Sequence, residues 1–235
     1  MSAQRFLIVN ADDFGQSRDI NRGIFLAHQY GIVTSASLMV HNATTAEAID
    51  FSRTCPTLSL GLHLDLGEWH LRDQEWVEVY EVVKLDDRHA VQEEVAQQFA
   101  AFRRMVGRNP THIDSHQHVH LREPVRSIVE GYAREVAVPL RGCDAEISYC
   151  GAFYGQDHEG FSLPDRITVD ALTKILEDLP RGITELCCHP AAGTDLRTMY
   201  SAERVQELRV LCDPRIREAT MKMGITLRSF REICA

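Results

Sequence analysis

The sequence predicts an α/β fold, a single-domain distorted (β/α) barrel of about seven parallel strands that spans residues 1–235. Two observations support this prediction. Short apolar runs rich in β-branched residues alternate with amphipathic segments along the chain, which is the pattern of a parallel sheet with helical crossovers. The length also suits one barrel domain, and no linker, low-complexity run or internal repeat divides the chain.

The first half of the chain contains four predicted strand-helix units. The first strand is the continuous apolar run FLIVN, which is typical of a strand buried on both faces, and two aspartates with Gly15 end it. Thr44 and Glu47 form a capping-box pattern for the second helix. The predicted elements are strand 5–10, helix 19–30, strand 33–40, helix 44–54, strand 58–64, a helix from Asp86 or Asp87 to Val106, strand 111–115 and helix 123–136.

The second half continues the alternation after two long connections. Strands are predicted at 138–142, 183–188 and 225–230, with a helix at 168–179. Ser201 and Asp213 are the predicted caps of two further helices, the second with Pro214 at its favoured first position. The connections 65–85 and 144–166 carry several aromatic residues, and long loops in a compact domain are often functional.

Composition excludes several classes of protein. A net charge of −9 argues against nucleic-acid binding, which needs a basic patch. The apolar run at the N-terminus is too short for a signal peptide or a membrane span, so we expect no membrane association. The seven scattered cysteines, Cys234 among them, show no CxxC spacing and indicate reduced thiols in a cytoplasmic protein. The oligomeric state does not follow from the sequence, and a homodimer is compatible with it.

Polar residues collect at the carboxyl ends of the predicted strands. Asp12 and Asp13 follow the first strand, His63 ends the third, His116 follows the fourth and His189 ends the sixth. In a (β/α) barrel these strand ends converge on one face, where such enzymes carry their chemistry. We therefore expect these side chains to share one site.

The residue types at these positions suit a hydrolytic metal site. The segment HIDSHQHVH is the densest histidine cluster of the chain and favours a divalent ion, although any one of its histidines could equally be structural. A structural role at the start of the following helix would explain one of the paired aspartates, but it explains the second less well. A carboxylate with two imidazoles leaves metal positions open for water and substrate, while the free carboxylate accepts a proton. His189 would then serve as a general acid.

At these residues the chain resembles the YdjC family of carbohydrate deacetylases, which includes chitooligosaccharide deacetylases. The matching segments lie in the family's order and are together highly specific. They are IVNADDFG (8–15), GIVTSASLMV (31–40), GLHLDL (61–66), PTHIDSHQHVH (110–120) and CCHPA (187–191).

The resemblance implies a metal-dependent hydrolase that removes the N-acetyl group of an amino sugar or short oligosaccharide. Carried over by motif, Asp13, His63 and His116 are the metal ligands, Asp12 is the general base and His189 is a candidate acid. The implied cofactor is one divalent ion, magnesium or zinc, and the partner is a small carbohydrate. The residues expected to bind it are Asn42, Asp65, His118 and Arg141. The segments 67–80 and 143–164 depart from the chitooligosaccharide members, which leaves the sugar open.

Three alternatives stay open at this stage. The first is a metallohydrolase of the same barrel type that acts on another N-acyl or phosphoester substrate. The second is a thiol hydrolase that uses Cys187 or Cys188 with His189, although residues adjacent in a strand point to opposite faces. The third is a catalytically silent carbohydrate-binding protein, which the intact set of aspartates and histidines argues against.

Overall fold

The computed structural model describes residues 4–72, 75–195 and 199–233, and it confirms the predicted α/β class. Seven parallel strands alternate with helices, and an antiparallel hairpin is inserted after the third strand. In chain order the elements are β1 (Arg5–Phe14), α1 (Arg18–Gln29), β2 (Ser35–Leu38), α2 (Thr45–Thr54), β3 (Ser59–Leu64), β4 (Gly67–Arg72), β5 (Glu75–Glu81), α3 (Arg88–Val106), β6 (Ile113–Ser115), α4 (Val125–Val136), β7 (Ile147–Cys150), α5 (Val169–Glu177), β8 (Gly182–Cys188), α6 (Ser201–Leu211), α7 (Pro214–Lys222), β9 (Ile225–Leu227) and α8 (Phe230–Ile233).

The parallel strands form a curved sheet in the order β6-β3-β2-β1-β8-β7, and β9 pairs with the start of β1. Among the described residues no ladder joins β6 to β7, so the sheet is a distorted, open barrel. The strands β2, β3 and β6 and most of β1 and β8 are buried because helices cover their outer faces, as a parallel sheet requires. The carboxyl ends of β1, β3, β6 and β8 meet at one face, which carries the polar cluster described below.

Helix boundaries largely follow their sequence signals. The Asp87 side chain accepts hydrogen bonds from the backbone of His89 and Ala90 at the start of α3, and Gly107 ends that helix with φ of 82°. Asp213 caps α7 with Pro214 in the first turn, as predicted. The predicted Thr44 capping box is wrong. Thr44 Oγ1 instead donates to the carbonyl of Gly15, because tertiary partners compete successfully for its hydroxyl.

Several predicted element boundaries are also wrong. β1 continues through both aspartates to Phe14, since β8 pairs with it as far as Ala11 and β2 pairs with it again at Phe14. The predicted strand 138–142 is reduced to one bridge between Leu140 and Ile113. The last strand ends at Leu227, and Phe230 begins α8. Tyr200, rather than Ser201, is the N-cap residue of α6.

The two long connections contain secondary structure that the sequence did not predict. Residues 67–81 form the hairpin β4–β5, and β7 lies in the second connection, where it pairs with β8. Both insertions border the carboxyl-end face of the sheet. Cys234 lies outside the described residues. None of the described helices combines the length and the apolar character that a membrane span needs.

Candidate active site

A distortion of β1 turns both of its aspartates into the same cavity. Neighbouring residues of a regular strand point to opposite faces. Here Asp13 has φ of 65°, and the pairing of β1 with β2 shifts register between Ala11 and Phe14. Left-handed backbone is strained for a residue other than glycine, and such strain is typical of functional positions. The bulge therefore brings two buried carboxylates to one site.

Asp13, His63 and His116 lie together and could hold a metal ion. Asp13 Oδ1 lies 3.1 Å from His63 Nε2 and 3.0 Å from His116 Nδ1. One ligand atom of each residue lies within 4.8 Å of the other two. The three residues come from the ends of β1 and β3 and from the turn after β6, so the fold assembles ligands that are distant in sequence.

Asp114 orients the imidazole of His63. Its Oδ1 lies 2.7 Å from His63 Nδ1, and both side chains are fully buried. A proton on Nδ1 that is donated to this carboxylate leaves the lone pair on Nε2, which is the nitrogen that faces Asp13. Carboxylate partners of this kind fix the tautomer of metal-binding histidines. Asp114 itself is held by hydrogen bonds from Ser37 Oγ (2.7 Å) and Asn10 Nδ2 (3.2 Å).

The chemistry of this cluster fits a divalent ion. His63 Nε2 is buried without a hydrogen-bond partner. Burial would lower the pKa of His116, but the Asp13 carboxylate outweighs it and raises that pKa to about 9. The pKa of His63 is likewise raised despite burial, chiefly by Asp114. These shifts show that the carboxylates attract positive charge to the position between the imidazoles. One carboxylate and two imidazoles form a ligand set that suits zinc, and it also suits magnesium if waters fill the shell.

Asp12 is fixed by a two-point salt bridge to Arg141. The guanidinium lies 2.6 Å from Oδ2 and 2.7 Å from Oδ1, and it also contacts Asp114 and Glu185 at 2.7 Å each. Burial would raise the pKa of Asp12, but Arg141 outweighs it and holds that pKa far below its usual range. Asp12 is therefore an ionised carboxylate in a fixed orientation beside the cluster of Asp13, His63 and His116.

His189 lies beside Asp12. Its Nε2 is 3.8 Å from Asp12 Oδ2, and its backbone N–H donates to Glu207 Oε2 at 2.5 Å. Burial lowers the pKa of His189 to about 4, so the imidazole is neutral near pH 7. Burial also raises the pKa of Glu207 to about 8, and the Tyr200 hydroxyl donates a hydrogen bond to the same carboxyl group.

A cavity of about 340 Å³ opens above these groups. Its lining includes both aspartates, the two cluster histidines and His189, together with an aromatic wall of Tyr149, Phe153, Tyr154 and Tyr200. Tyr154 and Tyr200 stack with ring centroids 4.3 Å apart. A polar floor beside flat aromatic faces suits an amphipathic small molecule such as a sugar.

The four residues expected to bind substrate are not all at this cavity. His118 lines it and shares a hydrogen bond of 3.1 Å with Tyr149. Asn42 and Asp65 lie outside the lining that the described residues form, and Asp65 instead accepts from the hydroxyl of Tyr80. Arg141 is 5% exposed and lies beneath the floor, where its guanidinium is occupied by three carboxylates. The Arg141 guanidinium therefore faces buried carboxyl groups and not the cavity.

The histidine-rich segment divides into different roles. His116 lies in the cluster with Asp13 and His63, and His118 lines the cavity. His112 stacks on Phe230 in the core, with ring centroids 3.9 Å apart, and burial lowers its pKa to about 3. His120 bonds to Ser115 Oγ and to the Arg141 carbonyl, so it supports the turn. Period and spacing in the sequence could not separate these roles.

Cys187 lies beside His189, which corrects one argument against a thiol hydrolase. The two residues are two positions apart and face the same side, and Sγ lies 3.9 Å from Nε2. Only Cys188 faces away from His189, and its Sγ contacts the Asn10 carbonyl. However, burial and the Asp12 carboxylate raise the pKa of Cys187 well above its usual value. The thiol is therefore protonated and a poor nucleophile.

Sequence reasoning missed three charged residues at this site. Arg204, on α6, donates to Asp13 Oδ2 at 2.6 Å, and Glu207 contacts His189 from the same helix. Glu68, on the hairpin, places Oε2 3.7 Å from His116 Nε2. The buried face of α6 is charged, so hydrophobic periodicity carried no signal for it. The sequence predicts a long connection where the hairpin lies, so it does not indicate the position of Glu68.

The chain is similar to known proteins over nearly its whole length. Residues 6–222 match the family model described as YdjC-like protein. A chitooligosaccharide deacetylase from Serratia marcescens is 32% identical over 98% of this chain and 100% of that protein.

Two solved structures are similar in fold. A candidate cellobiose-phosphate cleavage protein from Enterococcus faecalis V583 has a TM-score of 0.73 and 25% identity, over 98% of this chain and 99% of that chain. A family 4 carbohydrate esterase from Streptomyces lividans, in complex with acetate, has a TM-score of 0.57 and 14% identity, over 96% of this chain and 93% of that chain. The second likeness concerns the fold alone.

Proposed function

This chain belongs to the YdjC family, and from that premise we propose that it is a carbohydrate deacetylase that hydrolyses the N-acetyl group of an amino sugar or short N-acetylated oligosaccharide. The observation that carries the proposal is the cluster of Asp13, His63 and His116 beside the fixed carboxylate of Asp12, at the floor of one cavity. The curated relative from Serratia marcescens, a chitooligosaccharide deacetylase, supports the substrate class.

Asp13, His63 and His116 would hold one divalent ion, magnesium or zinc. Such an ion, when bound, polarises the acetamide carbonyl and lowers the pKa of water. Arg204 holds the second oxygen of Asp13 at 2.6 Å, which directs Oδ1 toward the two imidazoles. Asp114 fixes His63 in the orientation that presents Nε2 to the same position.

Asp12 would act as the general base. Its two-point contact with Arg141 orients the carboxylate and keeps it ionised, so it is ready to accept the proton of the attacking water. A low pKa makes Asp12 a weak base, so it releases that proton readily. The nearest acceptor that also lines the cavity is His189, at 3.8 Å.

His189 would return the proton to the leaving amine. Because its pKa of about 4 exceeds that of Asp12, the imidazole is the stronger base of the two and receives the proton. The C–N bond of the tetrahedral intermediate then breaks as the amine nitrogen takes the proton from His189. The products are acetate and a free amino sugar. Glu207 holds the His189 backbone and so maintains this position.

We also propose a cytoplasmic location. The cysteines among the described residues are free thiols, which supports it.

The stacked pair of Tyr154 and Tyr200 would offer a face for one sugar ring at the cavity wall.

The test is acetate release from diacetylchitobiose and from N-acetylglucosamine, measured before chelation, after chelation and after metal is restored. We expect release that chelation abolishes and added metal recovers. His116→Ala should lose both bound metal and activity. His89→Ala is the matched control, because His89 is exposed on α3 and pairs there with Glu93. Release that survives complete metal removal would refute the metal-dependent mechanism.

A further inference from the structure

A second group of ligand atoms lies beside the first and is not used to hold the proposed catalytic ion. Asp12 Oδ2 is 3.3 Å from Cys187 Sγ and 3.8 Å from His189 Nε2, and the sulfur is 3.9 Å from that nitrogen. All three residues line the cavity. Within the described chain this trio is one of the groups whose ligand atoms lie within 4.8 Å of one another.

The pairing of β1 with β8 explains why these side chains converge. The register places Asn10 beside Cys187, and the next residues on the same face are Asp12 and His189. Neighbouring ligands of a tetrahedral ion with bonds of about 2.0–2.3 Å lie about 3.3–3.8 Å apart. The three separations therefore need changes of only a few tenths of an ångström to bind such an ion.

We propose that Asp12, Cys187 and His189 form a second metal site, one that takes a thiophilic ion such as Zn²⁺ or Cd²⁺ and inhibits the enzyme. The inhibition rests on the proposed function, because the ion would occupy the proposed base and the proposed proton carrier. The binding itself does not rest on it. On binding, the metal–sulfur bond replaces the S–H bond and the thiol proton passes to the buffer.

The ligand types set the selectivity of this site. A thiolate favours zinc and cadmium over magnesium, whose ligands are oxygens. Asp12 keeps capacity for a metal bond, since each carboxylate oxygen has two lone pairs and Arg141 uses one on each. Asp114 contacts the same guanidinium, and its carboxylate offsets part of the added positive charge. The first cluster lacks sulfur, so the two sites differ in a property that spectroscopy detects.

The first experiment is a titration of the purified chain with Cd²⁺, followed by ultraviolet absorption and by bound metal per chain. We expect a thiolate-to-metal charge-transfer band and two ions per chain. Cys187→Ser should lose the band and one ion, and His116→Ala should keep the band and lose the other ion. Cys188→Ser is the matched control, because that buried thiol faces the Asn10 carbonyl, and it should keep the band.

The second experiment measures deacetylation with Mg²⁺ or one equivalent of Zn²⁺ present and then with added Zn²⁺. We expect excess zinc to inhibit the unaltered chain at least tenfold more strongly than Cys187→Ser, with each rate referred to its own uninhibited value. His189→Gln should weaken the cadmium band at limiting metal, which tests the site even if the serine variant folds poorly.

The two proposals fail in different ways. Absence of the band at saturating Cd²⁺, or its persistence in Cys187→Ser, would overturn the second site. A band with two bound ions in a chain that deacetylates neither sugar would uphold the second site and count against the proposed activity alone.

Discussion

Replacing Asp114 with asparagine tests how the site presents His63 to the metal. The carboxylate of Asp114 lies 2.7 Å from His63 Nδ1 in a fully buried contact, and it also faces Arg141 at 2.7 Å. An asparagine can offer its oxygen to only one of these two donors, and it carries no charge. Loss of such an orienting partner costs about 10–100-fold in metal affinity, which is about 1.4–2.8 kcal/mol.

The assay is the dissociation constant of Zn²⁺, measured by competition with a chromophoric chelator at a temperature where both proteins are folded. We expect Asp114→Asn to bind 10–100-fold more weakly than the unaltered chain. Ser37→Ala is the matched control. It removes the hydrogen bond to Asp114 Oδ2 and about 0.5–1.5 kcal/mol of stability but leaves the carboxylate in place. A folded Asp114→Asn protein with unchanged affinity would refute the argument that this carboxylate selects the His63 tautomer.

Three further predictions address the base, a buried acid and the core. Asp12→Asn should lower kcat about 10²–10⁴-fold while metal content stays constant, and a fully active variant would eliminate the base assignment. The pKa of Glu207 is raised by burial from 4.5 to about 8, so the unfolded chain loses this proton first and stability falls as pH rises from 4.5 to 8. This fall in the free energy of unfolding is on the order of 5 kcal/mol by pH 8, and it should be absent in Glu207→Gln. Denaturant curves of Glu207→Gln that match the unaltered chain at both pH 5 and pH 8 would contradict this. Gly61→Ala should cost about 1–3 kcal/mol, because a Cβ there would lie 2.4 Å from the His112 ring, whereas Gly131→Ala in α4 meets no atom within 4 Å and should not destabilise. Equal thermal midpoints for those two variants would count against the packing argument.

The order of strands and helices was readable from the sequence because it depends on local patterns. Apolar runs and amphipathic periods located β1, α1, β3 and α3, and the capping signals at Asp87 and Asp213 matched observed caps. Boundaries that depend on distant partners were not readable. β1 extends through its aspartates because β2 pairs with it again at Phe14, and residues 138–142 lack strand partners beyond one bridge.

The sequence by itself determined the α/β class and the residue types at the strand ends, since parallel strands direct their carboxyl ends to one face. Only the tertiary structure decided which of those residues share a cavity. It places His116 beside Asp13. It buries His112 in the core and bonds His120 to the backbone, so neither of them reaches the cluster. It places Arg141 beneath the floor of the cavity. It also brings three charged residues to the site from elements whose charged faces carry no hydrophobic pattern, namely Arg204, Glu207 and Glu68. These positions arise from a strand bulge, a helix packed against α1 and an inserted hairpin, and such long-range contacts leave no local trace in the chain.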